Sequence, residues 1–433
     1  MSGILVGSIA IASLLALLAW RVPVALSLIL VSFLGVWATF GLTPAWGILK
    51  STPYDFVASW TLTSVPMFVL MGYISFHSGI TSGLFRLAKA LFSRMPGSLA
   101  ISSTFACTGF AAVCGSSVAC AAAMGKIAIP EMVKSGYDRN FACGSIAAGG
   151  TIGALIPPSI LMIIYGVIAQ VSIISLFLAG IGVGVATAIG YILVILALSW
   201  VKPEWVPRSL DRSDVPPLGK ALMETGPVLF IMAGIFGGMF GGIFTATEAG
   251  AVGAALSLGY AVISRRINRR QILESLSDTV STCGSLLLVG VGAAMLTKML
   301  SMTGLGLYIS QIIGAFNFDY WQLMLMIVAI YLVLGMFLDP FGAMLITLPV
   351  FLPILHHYHV DLIFFGVFLV KMLEIGMITP PVGINVYVIK SVVGDLTSLN
   401  GVFKGIGMFF VTDILVIGGL IFFPSLFFLP VSG

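Results

Sequence analysis

Charge is scarce in this sequence. Asp, Glu, Lys and Arg together make up 8% of its 433 residues, against about 25% in an ordinary soluble domain. So few charges cannot solvate a globular surface in water, which excludes a soluble protein. Cysteine is sparse too. Cys107, Cys114, Cys120, Cys143 and Cys283 sit in apolar stretches without metal or redox spacing and read as small buried thiols. Of four histidines, His356, His357 and His359 cluster near a predicted bend, as solvated-loop residues or as a metal site. There is no nucleotide or phosphate-loop motif and no nucleophile–base constellation. The chain is therefore not read as an ATPase or an enzyme, and no nucleic-acid partner is expected.

What the chain has in abundance is apolar surface: 59% of residues are hydrophobic. A lipid bilayer is the solvent that suits such a composition. A spanning helix needs about 20 mostly apolar residues, and candidate spans cover 4–20, 22–40, 57–76, 97–134, 139–170 and 172–200. The first run has no basic segment before it and leads through Arg21 into a second apolar run. It reads as a retained span and not a cleaved signal. A polar linker over 202–223 follows, and the pattern then restarts near Pro227.

The restart is a repeat. One offset of 223 carries Pro130 to Pro353, Asp138 to Asp361, Gly153 to Gly376, Pro157-Pro158 to Pro380-Pro381 and Ser78 to Ser301. Five landmarks kept without a gap predict two units, 1–201 and 224–433. Within each unit one long apolar segment is interrupted midway. In 97–134 the middle reads Ala112-Val-Cys-Gly-Ser-Ser-Val118; in 320–357 it reads Gly335-Met-Phe-Leu-Asp-Pro-Phe-Gly342. Gly and Pro at mid-membrane break the helix. Each segment could span twice or turn back; we favour a re-entrant hairpin, which keeps the broken backbone inside protein.

With hairpins not crossing, each unit makes five crossings, one of them discontinuous. Five is odd, so the second unit is inverted relative to the first. Sixteen Lys and Arg, among them Arg208, Arg212 and the Arg265–Arg270 cluster, then fall on one side and two, Lys50 and Lys298, on the other; Lys126 and Lys371 lie within membrane segments. The positive-inside rule makes the basic side cytoplasmic and places both termini outside. The predicted fold is all-α and polytopic.

Inverted units with broken helices are a signature of secondary transporters. The interrupted helices, about 139–170 and 363–390, carry the Pro-Pro pairs. Each pair removes two backbone donors and disfavours helix just before it. Freed carbonyls can ligate a hard cation, and the half-helix that follows presents a positive N-terminal end to an anion. Ser116, Ser117, Ser159, Thr379 and Asn385 can add side-chain oxygens or amide donors. Asp339, at the second tip, could ligate a cation or cap the second hairpin arm. Lys371 and Glu374, three apart on one helix, are expected to pair. Glu248 reads as a helix-start partner or a hinge anchor, and Lys126 as a snorkelling residue.

At these residues the sequence resembles the large membrane subunit of tripartite ATP-independent periplasmic (TRAP) transporters. The resemblance is carried by the stretch from Leu334 to Pro353, by Gly241-Gly-Ile-Phe-Thr-Ala-Thr-Glu-Ala-Gly250, by Gly115-Ser-Ser-Val118 and by both Pro-Pro segments, and it covers essentially the whole chain. It implies an elevator-type, sodium-coupled symporter of the ion-transporter superfamily in a bacterial inner membrane. Its partners would be a small four-helix membrane subunit, expected as a separate polypeptide, and a periplasmic substrate-binding protein. The implied substrate is an organic acid of the C4-dicarboxylate or sialic acid class. The implied sodium sites join Ser116 and Ser117 with Gly153 and Pro157, and Asp339 and Pro340 with Gly376 and Thr379. Ser117, Ser159, Thr379 and Asn385 are the candidate substrate contacts. A stand-alone sodium/carboxylate symporter without a binding protein is the alternative.

Overall fold

A computed structural model describes residues 3–207, 215–315 and 318–427, and among them every regular element is a helix. The chain opens with α1 (Gly3–Ala19), α2 (Val24–Phe40), α3 (Leu42–Val57), α4 (Ser64–His77) and α5 (Ser82–Phe92). It continues with α6 (Ser98–Cys114), α7 (Ser117–Lys134), α8 (Arg139–Gly150), α9 (Ile160–Ala169) and α10 (Ile173–Val201). Next come α11 (Leu218–Phe240), α12 (Ala246–Ile263), α13 (Arg269–Thr303), α14 (Leu305–Ala315) and α15 (Tyr320–Gly335). The last five are α16 (Pro340–His357), α17 (Leu362–Gly376), α18 (Ile384–Val393), α19 (Leu399–Ile406) and α20 (Phe409–Phe422).

Helix boundaries recur at the offset seen in the sequence. Shifted by 223, both ends of α5 fall on those of α14, and both ends of α7 on those of α16. The landmark pair Asp138 and Asp361 has a local cause: each caps its helix, Asp138 accepting from Phe141 N at 2.9 Å and Asp361 from Phe364 N at 2.7 Å. Both long segments break where Gly or Pro interrupts them. The helix stops at Cys114 and resumes at Ser117, and stops again at Gly335 and resumes at Pro340. The interrupted helices also break, over 155–159 and 377–383, and both Pro-Pro bonds are cis.

Several expectations change. The stretch 57–76 is not one helix: α3 precedes it, and the chain bends by 54° between α3 and the segment Trp60–His77. Where α10 is a continuous 29-residue helix, its counterpart is split into α19 and α20 with a 49° bend. α11 begins at Leu218, inside the stretch read as linker, and Arg86 pairs with Glu224 in its second turn at 2.9 Å. Arg208 and Arg212, both counted on the basic side, lie outside the described residues. Among the described residues, five helices (α10 to α13 and α16) are long and apolar enough to cross a membrane, or seven if each bent pair is one span. Helices α1 and α2, with 17 residues each, reach about 25 Å and fall short of a hydrocarbon core about 30 Å thick.

The two halves exchange parts. α9 follows the first hairpin but packs against α16 and α17 of the second half, and Tyr165 Oη donates to Leu362 O at 2.6 Å. α18 packs against α7 and α8 of the first half, where Asn385 Nδ2 reaches Ala147 O at 3.4 Å. The apolar interior is accordingly two clusters. One centres on α2, α9, α13 and α15 to α17, the other on α5 to α8, α18 and α19.

The second hairpin meets its interrupted helix backbone to backbone. A Cβ on Gly376 would lie 2.6 Å from the Gly335 Cα, and one on Gly335 only 2.8 Å from the Gly376 Cα. Gly376→Ala must push the two helices apart, at about 1–3 kcal/mol. The expected result is a lower unfolding temperature for the detergent-purified variant; an unchanged temperature would contradict this contact.

Candidate functional site

The breaks converge on one cavity of about 470 Å³. Its wall takes Ser117, Val118 and Ala119 from the first turn of α7, and Pro340 and Phe341 from that of α16. Ile160 and Leu161 come from the start of α9, and Ile384 is the first residue of α18. Four helix N-termini therefore border the same space. Each carries roughly half a positive charge on unsatisfied N–H groups, so together they favour an anion. The opposite wall is built by α4, with Gly72, Tyr73 and Phe76, and by α13, with Thr282 and Leu286. Tyr73 Oη and Thr282 Oγ1 bond to each other at 2.9 Å.

The first tip is held by main-chain packing. Gly115 has φ +59, and a Cβ there would lie 2.4 Å from the Pro158 carbonyl oxygen, so the turn seats directly on the first helix break. Gly153 lies beneath the same tip; its Cβ position is 3.3 Å from the backbone of Ser117. The structure thus brings Ser116, Ser117 and Gly153 together, with Pro157 adjacent through Pro158. At the second tip Asp339 and Pro340 line the cavity, while Gly376 meets Gly335 and not Asp339.

Asp339 accepts from Gly342 N at 3.0 Å and caps α16, so the capping role is the one observed. Ser116 caps α7 and Ser159 caps α9, accepting from Ala119 N at 3.4 Å and Met162 N at 3.3 Å. Thr379 Oγ1 donates to Ile375 O at 2.7 Å within its own turn. Ser159, Thr379 and Asn385 are buried behind the wall and do not line the cavity. Glu248 forms a capping box with Thr245 at the start of α12, the helix-start role. Lys126 is exposed. No cluster of three His, Cys, Asp or Glu suited to a metal occurs among the described residues, and the five cysteines are buried and free.

The expected Lys371–Glu374 pair does not form. Lys371 Nζ bonds Asp413 Oδ1 on α20 at 2.6 Å, with side chains 0% and 1% exposed. Tyr191 Oη from α10 donates to the same carboxylate at 2.9 Å and lies 3.3 Å from Thr151 Oγ1 at the first break. A polar chain thus runs from one interrupted helix to the other through α10 and α20. Asp413 was missed in the sequence, where a lone acid in an apolar run is the signal that marks it. Glu374 faces the cavity instead. Its Oε2 accepts from Ser117 Oγ at 2.5 Å, linking the second interrupted helix to the first tip. Glu374 Oε1 and Asn385 Oδ1 are buried without a hydrogen-bond partner. Oxygen atoms left in this state suit a hard cation, and with the neighbouring hydroxyls they fit sodium.

Apolar helices with paired interruptions around a solute-sized cavity define a polytopic membrane transporter. The sequence comparisons make this specific. The family model for the tripartite ATP-independent periplasmic transporter, DctM component, matches residues 11–426, and the chain belongs to that family. It is 34% identical over 341 residues to the C4-dicarboxylate TRAP transporter large permease protein DctM of Pseudomonas aeruginosa, covering 77% of this chain and 78% of that one. It is 31% identical over 345 residues to the sialic acid TRAP transporter large permease protein SiaM of Vibrio cholerae, covering 78% and 79%. The fold is similar to the crystal structure of the Alcanivorax borkumensis YdaH transporter, with a TM-score of 0.63 at 16% identity over 88% of each chain.

Removing one partner of the buried Lys371–Asp413 pair leaves the other charge stranded, at about 3–5 kcal/mol. Lys371→Met alone is expected to lose folded protein in a detergent chromatography profile. The double variant Lys371→Met with Asp413→Leu is expected to recover most of it. Equal losses in both would show that the pair is not the cause.

Proposed function

We propose that the chain is the transport subunit of a sodium-coupled system that imports an organic acid handed over by a periplasmic binding protein. The observation that carries this reading is the charge balance of the cavity. Two carboxylates, Asp339 and Glu374, face the cavity, and among the described residues no Lys, Arg or His lines it. Four helix N-termini attract an anion, yet the carboxylates repel it. An anion is admitted well only when a cation neutralises that wall. Sodium held by Glu374 and the tip hydroxyls would raise affinity for the acid, and the acid would raise affinity for sodium by the same factor.

The inverted arrangement supports alternating access. With re-entrant hairpins the second half enters the bilayer from the opposite side, both termini are periplasmic, and the basic loops lie in the cytoplasm. The cavity lies between the tips and the wall formed by α4 and α13. Exchange of α9 and α18 welds the hairpins and interrupted helices into one body. That body would move, elevator fashion, against a scaffold of the first helices of each half and a small four-helix subunit. The C4-dicarboxylate, sialic acid and isethionate systems among the relatives support an organic acid as cargo.

Proteoliposomes containing the complex test the coupling. Accumulation of the acid is expected under an inward sodium gradient and not with potassium in its place; equal uptake in both would end the reading. Ser117→Ala removes the hydroxyl that joins the first tip to Glu374. It is expected to raise the sodium concentration for half-maximal uptake about tenfold, equivalent to roughly 1.4 kcal/mol, without changing the unfolding temperature. Asp339→Asn keeps a cap and should shift sodium dependence in the same direction. Normal sodium dependence in both variants would remove these residues from the site.

A further inference from the structure

We propose that the cavity selects an acid with one anionic group on an apolar body, in preference to a dicarboxylate or a polyhydroxylated acid. This rests on the transport reading above and specifies its cargo. The wall away from the helix N-termini is formed largely by Val69 and Phe76 of α4 and Leu286 of α13, and Phe341 and Leu161 add apolar side chains at the helix starts themselves. None of the residues lining the cavity is Lys, Arg, His, Asn or Gln.

Most polar side chains that line it bond one another or a helix end, which leaves as hydroxyl donors Ser116 and one of Tyr73 and Thr282. Tyr73 and Thr282 bond each other, Ser117 donates to Glu374, and Ser116 and Asp339 cap their helices. Beside these, two charged kinds of polar capacity remain. The helix N-termini can take one anionic group. Glu374, only 1% exposed and with Oε1 unpartnered, can take one cation. That oxygen is an observation independent of the helix ends, and it makes a neutral cation–anion pair the complement the wall accepts.

A second carboxylate would leave water for a wall without a cationic side chain among the described residues and would face like charge. Sugar-type hydroxyls would lose more water partners than the few hydroxyls of the wall replace. An alkyl or aryl body instead gains from contact with Phe76, Leu161, Leu286 and Phe341. The volume of about 470 Å³ suits a small molecule.

The test is the unfolding temperature of the purified chain in detergent, without a binding protein whose own preference would intervene. Hexanoate, benzoate, succinate and N-acetylneuraminate are titrated in sodium buffer and in potassium buffer, with hexanol as the uncharged control. Hexanoate and benzoate are expected to stabilise the chain in sodium alone. Succinate and N-acetylneuraminate should do so at least about tenfold more weakly, and hexanol should have no effect. Stabilisation by succinate or N-acetylneuraminate at equal or lower concentration would overturn the inference and leave the transport reading intact. No stabilisation by any acid, or an equal effect of hexanol, would overturn it as well. Equal stabilisation by hexanoate in potassium would keep this selectivity and refute sodium coupling. Leu286→Lys, which adds a cation to the wall, should move the preference toward succinate; if it does not fold, the native ligand series still decides.

Discussion

Backbone amides and carbonyls at a helix end need partners, and hydrocarbon supplies none. Four helices in this chain end inside an apolar protein, at Cys114, near Ala154, at Gly335 and at Gly376. Four others begin a few residues later. The fold packs these ends against one another and caps the helices that restart. Gly115 seats on the Pro158 carbonyl, Gly335 on Gly376, and Ser116, Ser159 and Asp339 cap the helices that restart. What these contacts leave over is concentrated on one cavity: four positive helix ends and one unpartnered carboxylate oxygen.

The buried charges divide into two kinds by the same logic. Lys371 and Asp413 neutralise each other, and Tyr191 and Thr151 continue the chain. This group is complete and holds α17, α10, α20 and the first break in register. Glu374 is incomplete. It reaches Ser117 with one oxygen and leaves the other without a partner. A satisfied network rigidifies, whereas a buried unsatisfied charge calls for a ligand. The two acidic residues therefore have different uses, although both are single acids in apolar helices.

Much of the site was legible in sequence because its cause is local. Gly-Ser-Ser and Leu-Asp-Pro break a helix wherever they occur, so Ser116, Ser117, Asp339 and Pro340 were found from composition alone. Asp138 and Asp361 were visible as landmarks because a cap is fixed by its next three residues. Ser159, Thr379 and Asn385 were placed near the centre but were offered as wall residues. Ser159 and Thr379 are taken up by backbone groups of their own turns, and Asn385 by Ala147 O, which only packing brings within reach. Lys371 was paired with Glu374 because three residues on one helix are neighbours. The nearer partner, Asp413, lies 42 residues away in sequence, and no spacing rule reports it.

Taken alone, the sequence determined the solvent, the helical class, the positions of the breaks and their recurrence at one offset. Each follows from composition or from a few adjacent residues, since Pro and Gly act on their own backbone and scarce charge rules out water as the surrounding medium. The tertiary structure decided which break faces which, that α9 and α18 change sides, and that Glu374 lines the cavity while Lys371 does not. Those outcomes depend on close approach between distant segments, and close approach is set by the whole packed interior at once.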